Sequence, residues 1–481
     1  MVKLARPPKH KARQIAAVMS QEQAIDEMFS RAHQLHQQGQ LEQAKEAYEK
    51  VLRFEPDHFD ALHLSGVIAA QSRNATLAVE FISRAIAIKP DVAAPHANIG
   101  NAYLALNEYA QAISFYNKAL ALQPHHLNAL CGKGNALKAL RRFDEALQCF
   151  DQALLIRPHH AETLAERAST LQSLNRLDEA LNDFTGAIHA NPKFIEAHIS
   201  RGHLLQRLGR YDESLACYDA ALSISPKHCI AWYSKGNLHK KNNRPEDALL
   251  AYQKAISAKP DFVEAINNQG IVLNALGLRE QAANDFATAI TLDPSYLDAA
   301  HNLGHTYLNL KKPNLALAAF DHVLEREPNN ADALAATGLS LKALGRHTEA
   351  LAYLQRALIL KPDWAEATVD LGSVLLDLRR PEEALQAYDK AISLMPDYAA
   401  AHNNKGNALL SLNKVREAFD SYKHAIDLDS NFVDALVNCG NALDKLNQRE
   451  DAKHYFKRAI ALSPYLAEAH YNLGLTQQKL L

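Results

Sequence analysis

Residues 229–262 read CIAWYSKGNLHKKNNRPEDALLAYQKAISAKPDF. Six of these residues, Trp232, Gly236, Ala248, Tyr252, Ala255 and Pro260, sit in columns that the chain repeats. Pro260 closes the stretch: proline has no N–H to continue a helical ladder and disfavours helix at the residue before it. Pro245 falls where a second helix would begin, and proline is favoured in a first turn. Outward from Pro260, prolines stand at 56, 90, 124, 158, 192, 226, 294, 328, 362, 396 and 464, each step being 34 except one double step across Ser430. Recurrence at a fixed period of this size is the signature of a repeat architecture.

With each repeat begun at Ile25, Phe59, Ala93 and onward, the proline takes position 32 and further columns align. Position 8 is Gly in twelve of fourteen cases, with Ala32 and Ala168 as the exceptions. Position 20 is Ala except at Ser214, and position 27 is Ala except at Val51 and Val323. Position 24 is aromatic in eleven of thirteen, as at Tyr48, Phe150 and Tyr252, with Ile82 and Leu354 in the other two. Small residues at 8 and 20 let two helices approach to the ~8 Å end of interaxial distances. Glycine within a helix costs up to ~1 kcal/mol against alanine, so its recurrence implies close packing that offsets the cost. The aromatic at 24 fills the volume left beside it. Asp57, Asp91 and Asp363 at position 33 are expected to cap the following helix. Pro313 and Pro381 repeat the placement of Pro245 at position 17, and Pro95 lies near the start of a first helix.

This pattern resembles the tetratricopeptide repeat (TPR) family over residues 25–481, most fully in residues 229–262. The resemblance implies an all-α chain, a right-handed superhelical solenoid of helix-turn-helix TPR repeats. Three regions are expected: residues 1–24 as a basic, partly disordered N-terminal segment with a short helix over 14–24; 25–466 as thirteen TPR repeats of 34 residues; and 467–481 as a closing half-repeat, a capping helix. Departures are mild. The family's tyrosine at position 11 survives only as Tyr103 and Tyr307, and position 4 is His96, His198, His402 or His470 where the family favours Trp.

Composition excludes several classes. A formal net charge of −2 supplies no basic field for nucleic acid. No apolar run approaches the ~20 residues that span a bilayer, and the basic start lacks a secretory core. Five scattered cysteines, Cys131, Cys149, Cys217, Cys229 and Cys439, form no CxxC pair and suit a reducing compartment, so cytoplasmic residence is expected. No Walker loop, GxSxG or HExxH occurs, so no enzyme activity and no cofactor are expected. The pairs His125-His126 and His159-His160 read as turn residues, not as a metal site.

The candidate site lies on the first helices, which line the inner surface of such stacks. Position 6 holds Asn98, Asn268, Asn302, Asn404, Asn438 and Asn472; position 9 holds Asn101, Asn135, Asn237, Asn407 and Asn441. Asparagine is a poor helix former, so its recurrence mid-helix asks for a reason. Its amide can bond both the C=O and the N–H of a peptide unit. Equivalent helices ~10 Å apart would meet every third residue of an extended chain that advances ~3.3 Å per residue. The alternative is that these amides bond between neighbouring repeats. The ladder resembles the inner surface of protein O-linked N-acetylglucosamine transferases, but is interrupted at Gly132, Glu166, Ser200, Ala336 and Asp370. Two uses follow: a protein–protein interaction scaffold binding extended peptides, or the substrate-recruiting array of a larger bacterial glycosyltransferase. Self-association through an end is a third form of contact. Position 2 is acidic in ten of fourteen first helices, so an acidic C-terminal peptide would be repelled.

Overall fold

The computed structural model describes residues 9–479, with side chains from residue 22 onward. These residues form twenty-seven α-helices and, among the described residues, no strand. The first helix of each repeat from the second to the thirteenth covers positions 1–13, as in Cys229–Lys241, and the second covers positions 17–30, as in Pro245–Ala258. The chain divides into two compact units, residues 1–234 and 235–481. Within each, consecutive helices pack against one another and first helices of adjacent repeats also touch.

At the start, Lys9–Gln37 is one continuous helix. The leading helix expected over 14–24 is therefore part of the first helix of repeat one, and residues 9–13, expected to be disordered, belong to it too. The remainder of that basic segment, residues 1–8, lies outside the described residues. The closing half-repeat is Ala467–Gln478.

Pro245, Pro313 and Pro381 open the second helices of their repeats, as the sequence requires. The capping expectation needs correction. The residue before each first helix is position 34, and its side chain does the capping at His58, His126, His228 and Asn330. Asp57, Asp91 and Asp363 stand one residue too early to reach the orphan N–H groups of the first turn. Position 15, in the turn between the paired helices, has positive φ in every repeat, from Gly39 (φ 74°) to Asn447 (φ 61°). Four glycines hold that conformation without strain; Arg73, Arg141, Lys311 and Arg379 are among the nine residues that hold it against a Cβ clash.

Glycine at position 8 meets the side chain at position 24. A Cβ on Gly100 would lie 2.6 Å from Tyr116 Cε1, and one on Gly236 would lie 2.7 Å from Tyr252 Cε1. Tyr116, Phe150, Tyr252 and Tyr422 are completely buried. Gly474, in the closing helix, has nothing within 4 Å of the place its Cβ would take.

Histidine replaces tryptophan at position 4 for a chemical reason. Trp232 Nε1 donates to the carbonyl of Pro226 at 2.9 Å. His96, His198, His402 and His470 place Nε2 at 2.8–3.0 Å from the carbonyls of Pro90, Pro192, Pro396 and Pro464. Either ring brings one N–H to the proline carbonyl in the turn that joins the preceding helix to this one. In three repeats where position 4 is apolar, position 26 supplies the donor: Arg84 bonds Pro56 O at 2.8 Å, His322 bonds Pro294 O at 2.9 Å and Arg356 bonds Pro328 O at 3.2 Å.

Candidate peptide-binding face

Gly-Asn dipeptides put an asparagine one residue beyond the close helix crossing, on the rim of each first helix. In the first compact unit, the hydroxyl of Tyr116 donates to Asn101 Oδ1 at 2.7 Å. Asn98 Nδ2 lies 2.9 Å from His63 Nε2 of the preceding repeat. Asn135 has Phe150 at position 24 in place of tyrosine, and its Oδ1 is buried without a hydrogen-bond partner. His203 and Ser234 make the position 9-to-6 link between repeats at 2.8 Å.

In the second unit the same geometry recurs. Tyr252 O–H donates to Asn237 Oδ1 at 2.7 Å, and Asn268 Nδ2 donates to that same oxygen at 2.9 Å. Lys240 Nζ donates to Asn268 Oδ1 at 3.3 Å. Asn302 Nδ2 reaches Asn267 Oδ1 at 3.0 Å. Tyr422 O–H donates to Asn407 Oδ1 at 2.8 Å, and Asn438 Nδ2 reaches Asn403 Oδ1 at 3.0 Å and Asn407 Oδ1 at 3.5 Å. Asn403 Nδ2 donates to Asn404 Oδ1 at 3.3 Å, and Asn472 Nδ2 donates to Asn441 Oδ1 at 2.9 Å.

Five of the position-6 asparagines, Asn98, Asn268, Asn302, Asn438 and Asn472, are thus bonded across to the preceding repeat, and Asn101, Asn237 and Asn407 at position 9 are tied to the tyrosine behind them. All remain partly accessible, Asn101 being exposed. Each bond uses half an amide. Among the described residues, the Oδ1 atoms of Asn98, Asn302, Asn438 and Asn472 and the Nδ2 atoms of Asn101, Asn407 and Asn441 have no partner. Asn267 and Asn403, at position 5, belong to the same network; the period alone gave no sign of them because only these two repeats carry Asn there.

Two departures from asparagine at position 6, Glu166 and Asp370, are charged. Glu166 pairs with Lys138. Burial raises the Asp370 carboxyl from 3.8 to about 6, with Lys342 opposing that rise. His301 and His305 stack edge-on with centroids 4.5 Å apart, and burial lowers both below the ordinary histidine value. Behind the face, Arg167 bonds Asp183 through two nitrogens at 2.7 Å and Asp151 at 2.7 Å. Arg167 and Asp183, twin members of one hairpin, are a core ion pair that the column pattern did not announce.

The paired histidines are turn residues. His126 Nδ1 accepts the Ala129 N–H at 3.2 Å, and His160 Nδ1 lies 2.8 Å from Thr163 Oγ1. Among the described residues no three His, Cys, Asp or Glu side chains gather as a metal site. Cys149, Cys217 and Cys439 are buried, and burial pushes the Cys439 thiol up to about 12, away from thiolate chemistry. No helix among the described residues is long and apolar enough to cross a membrane.

Family models described as tetratricopeptide repeat match residues 29–93, 93–126, 127–160, 194–261, 233–296, 301–365, 369–431 and 433–465. Among solved structures, the chain is similar to the APC/C hetero-tetramer Cut9-Hcn1, with 15% identity over 92% of this chain and 95% of that chain and a TM-score of 0.49. It is also similar to yeast Tom70, with 16% identity over 88% and 96% and a TM-score of 0.39. YrrB, described as a TPR protein with an unusual peptide-binding site, is 29% identical over 39% of this chain and 97% of that chain, with a TM-score of 0.33. No curated protein sequence matches the chain. With repeat models covering most of its length, the chain belongs to the tetratricopeptide repeat family.

Proposed function

We propose that the first-helix face binds extended polypeptide segments, gripping their backbone through the half-used amides at positions 6 and 9. A tetratricopeptide array is a protein-interaction scaffold, and nearly all of this chain is such an array. The observation that carries the finer reading is a division of labour within most of these amides; at position 6 the oxygens of Asn268 and Asn404 are themselves bonded, to Lys240 and Asn403. Oxygens are presented at position 6, by Asn98, Asn302, Asn438 and Asn472, and NH2 groups at position 9, by Asn101, Asn407 and Asn441. An extended chain offers N–H and C=O in alternation, so one set of amides receives and the other donates. Because backbone is common to all sequences, the face accepts many segments with modest affinity for each.

The test is the full chain against the variant Asn404→Ala with Asn438→Ala, titrated with fluorescein-labelled 15-residue peptides from a natively unfolded protein. Loss of one net hydrogen bond at each site predicts weakening of about tenfold for the pair. Binding equal to that of the unaltered chain, with the circular dichroism spectrum unchanged, would remove the reading. The likeness of the asparagine pattern to O-linked N-acetylglucosamine transferases supports a second use of the same face, delivery of bound segments to a glycosyltransferase. Peptides that bind the array but are never glycosylated in cells expressing the protein would count against that use.

A further inference from the structure

An asparagine amide is ambiguous. Rotated by half a turn, it presents an oxygen where it had presented an NH2, with little change in shape. A face that reads backbone polarity must settle that choice before the ligand arrives. Repeats seven and eight contain a group that settles it.

Lys240 stands at the head of a chain of hydrogen bonds. An ammonium is donor only, so the atom of Asn268 that it meets at 3.3 Å is the oxygen. The NH2 of Asn268 therefore faces the other way, toward Asn237, 2.9 Å distant. That contact must be an oxygen in turn, since two NH2 groups would repel. Asn237 Oδ1 is thereby turned inward, where Tyr252 O–H meets it at 2.7 Å. The tyrosine ring is completely buried and packed over Gly236, so its hydroxyl is held in place by the hairpin core. Donor follows donor from Lys240 through Asn268 to Asn237, and the second donor from Tyr252 confirms the orientation. The NH2 of Asn237 is left pointing away from both.

We propose that Lys240, Asn268 and Tyr252 are positioning residues that lock Asn237 with its NH2 outward, making Asn237 a receptor for a carbonyl oxygen of an extended polypeptide. This rests on the backbone-binding reading given above and adds to it a fixed polarity. A side chain two hydrogen bonds away decides what the amide offers. Repeat four supplies the contrast: Asn135 has Phe150 behind it, and its Oδ1 is buried with no donor.

The experiment uses the full chain and the same labelled peptides. Lys240→Gln replaces a group that only donates by one that donates or accepts, which releases the anchor. Tyr252→Phe removes the inner donor and keeps the ring. Lys240→Arg keeps donor-only character. Asn237→Ala removes the receptor itself and reports whether this position binds at all. Expected results are a loss of about three- to tenfold for Asn237→Ala, a smaller loss for Lys240→Gln, and a larger one for Lys240→Gln with Tyr252→Phe. Lys240→Arg is expected to bind as the unaltered chain does. Side-chain amide resonances of selectively 15N-labelled asparagine supply a readout that a merely structural role would not move. The Asn237 NH2 pair shifts on peptide addition in the unaltered chain and in Lys240→Arg, and less in the double variant.

If no peptide binds the unaltered chain, the backbone-binding reading fails first. If peptides bind and Asn237→Ala weakens them, but the double variant binds and shifts as the unaltered chain does, the polarity lock is overturned. Should Tyr252→Phe loosen the hairpin, Lys240→Gln against Lys240→Arg carries the same decision from the partly exposed side of the group.

Discussion

Exchange of Gly406 for alanine tests whether close helix contact, and not chain flexibility, is what keeps glycine at position 8. A Cβ there would stand 2.4 Å from Tyr422 Cε1, 2.6 Å from Cδ1 and 2.8 Å from Cζ. Ordinary carbon contacts lie near ~3.5–4 Å, so the ring would have to retreat by about 1 Å. It has nowhere to go, being completely buried with its hydroxyl bonded to Asn407 at 2.8 Å. Overpacking of this kind costs about 1–3 kcal/mol, and disturbing the hydroxyl bond adds about 1 kcal/mol. Alanine returns about 1 kcal/mol of helix propensity. The net expectation is destabilisation of about 2 kcal/mol. Gly474→Ala is the control, because nothing lies within 4 Å of its Cβ position; there only the propensity gain of about 1 kcal/mol remains. Long arrays do not unfold in a single step, so the assay is native-state hydrogen exchange read by mass spectrometry. Peptides from residues 399–428 should lose protection by about thirtyfold in Gly406→Ala, while peptides from residues 93–122 keep theirs. Peptides from residues 467–478 should gain protection in Gly474→Ala. A gain at both sites, or no change at Gly406→Ala, would refute the packing argument. Ala32 and Ala168 occupy position 8 opposite Tyr48, whose hydroxyl has no partner, and Phe184, so the cost of a Cβ there depends on how the hairpin is set.

Three further expectations follow from the same geometry. Arg141→Gly and Lys311→Gly relieve positive φ values of 60° and 57°. The left-handed penalty of ~1–2 kcal/mol exceeds the entropic cost of glycine, so each should stabilise its hairpin by about 0.5 kcal/mol in exchange or thermal melts. His402→Phe removes the N–H bonded to Pro396 O at 2.9 Å; a loss of about 1 kcal/mol is expected, and His402→Trp should restore it, as Trp232 does for Pro226. Asp370 binds its proton near pH 6 when folded but at 3.8 when unfolded, because burial disfavours its charge. The folded state therefore holds the proton longer, and stability declines as pH rises from about 4 to about 6 and stays lower above that. Asp370→Asn should stabilise the fold at pH 7.5 by on the order of 2–3 kcal/mol, read as a higher melting temperature, and change it little at pH 4; an equal gain at both would contradict burial as the cause.

The recurrence of proline at 34-residue steps, with Gly at 8 and an aromatic at 24, was enough to place every helix from repeat two onward, because each column answers to one contact. Gly236 against Tyr252 is that contact in full. Other features were hidden in columns of mixed chemistry. Position 15 is Arg, Asn, Lys or Gly, which hides a backbone conformation common to all of them. The capping residue was placed at Asp57 when His58 performs that role, an error of one position that propensity cannot resolve. For the asparagines, spacing gave the residues but not their partners. Asn268 and Asn237 are thirty-one residues apart, Asn438 and Asn403 thirty-five, and the groups they meet, such as Lys240 at Asn268 Oδ1, stand in columns of other chemistry.

The carbonyl at the end of each second helix has a consequence for how such a chain tolerates change. In repeats three, six, seven, twelve and fourteen an imidazole or indole at position 4 serves it. In repeats two, nine, ten and thirteen a cation or imidazole at position 26 does so from the opposite side. The two columns are interchangeable answers to one demand, so neither looks invariant when taken singly. A repeat taken from this set and averaged column by column keeps its donor only if the two columns are moved together.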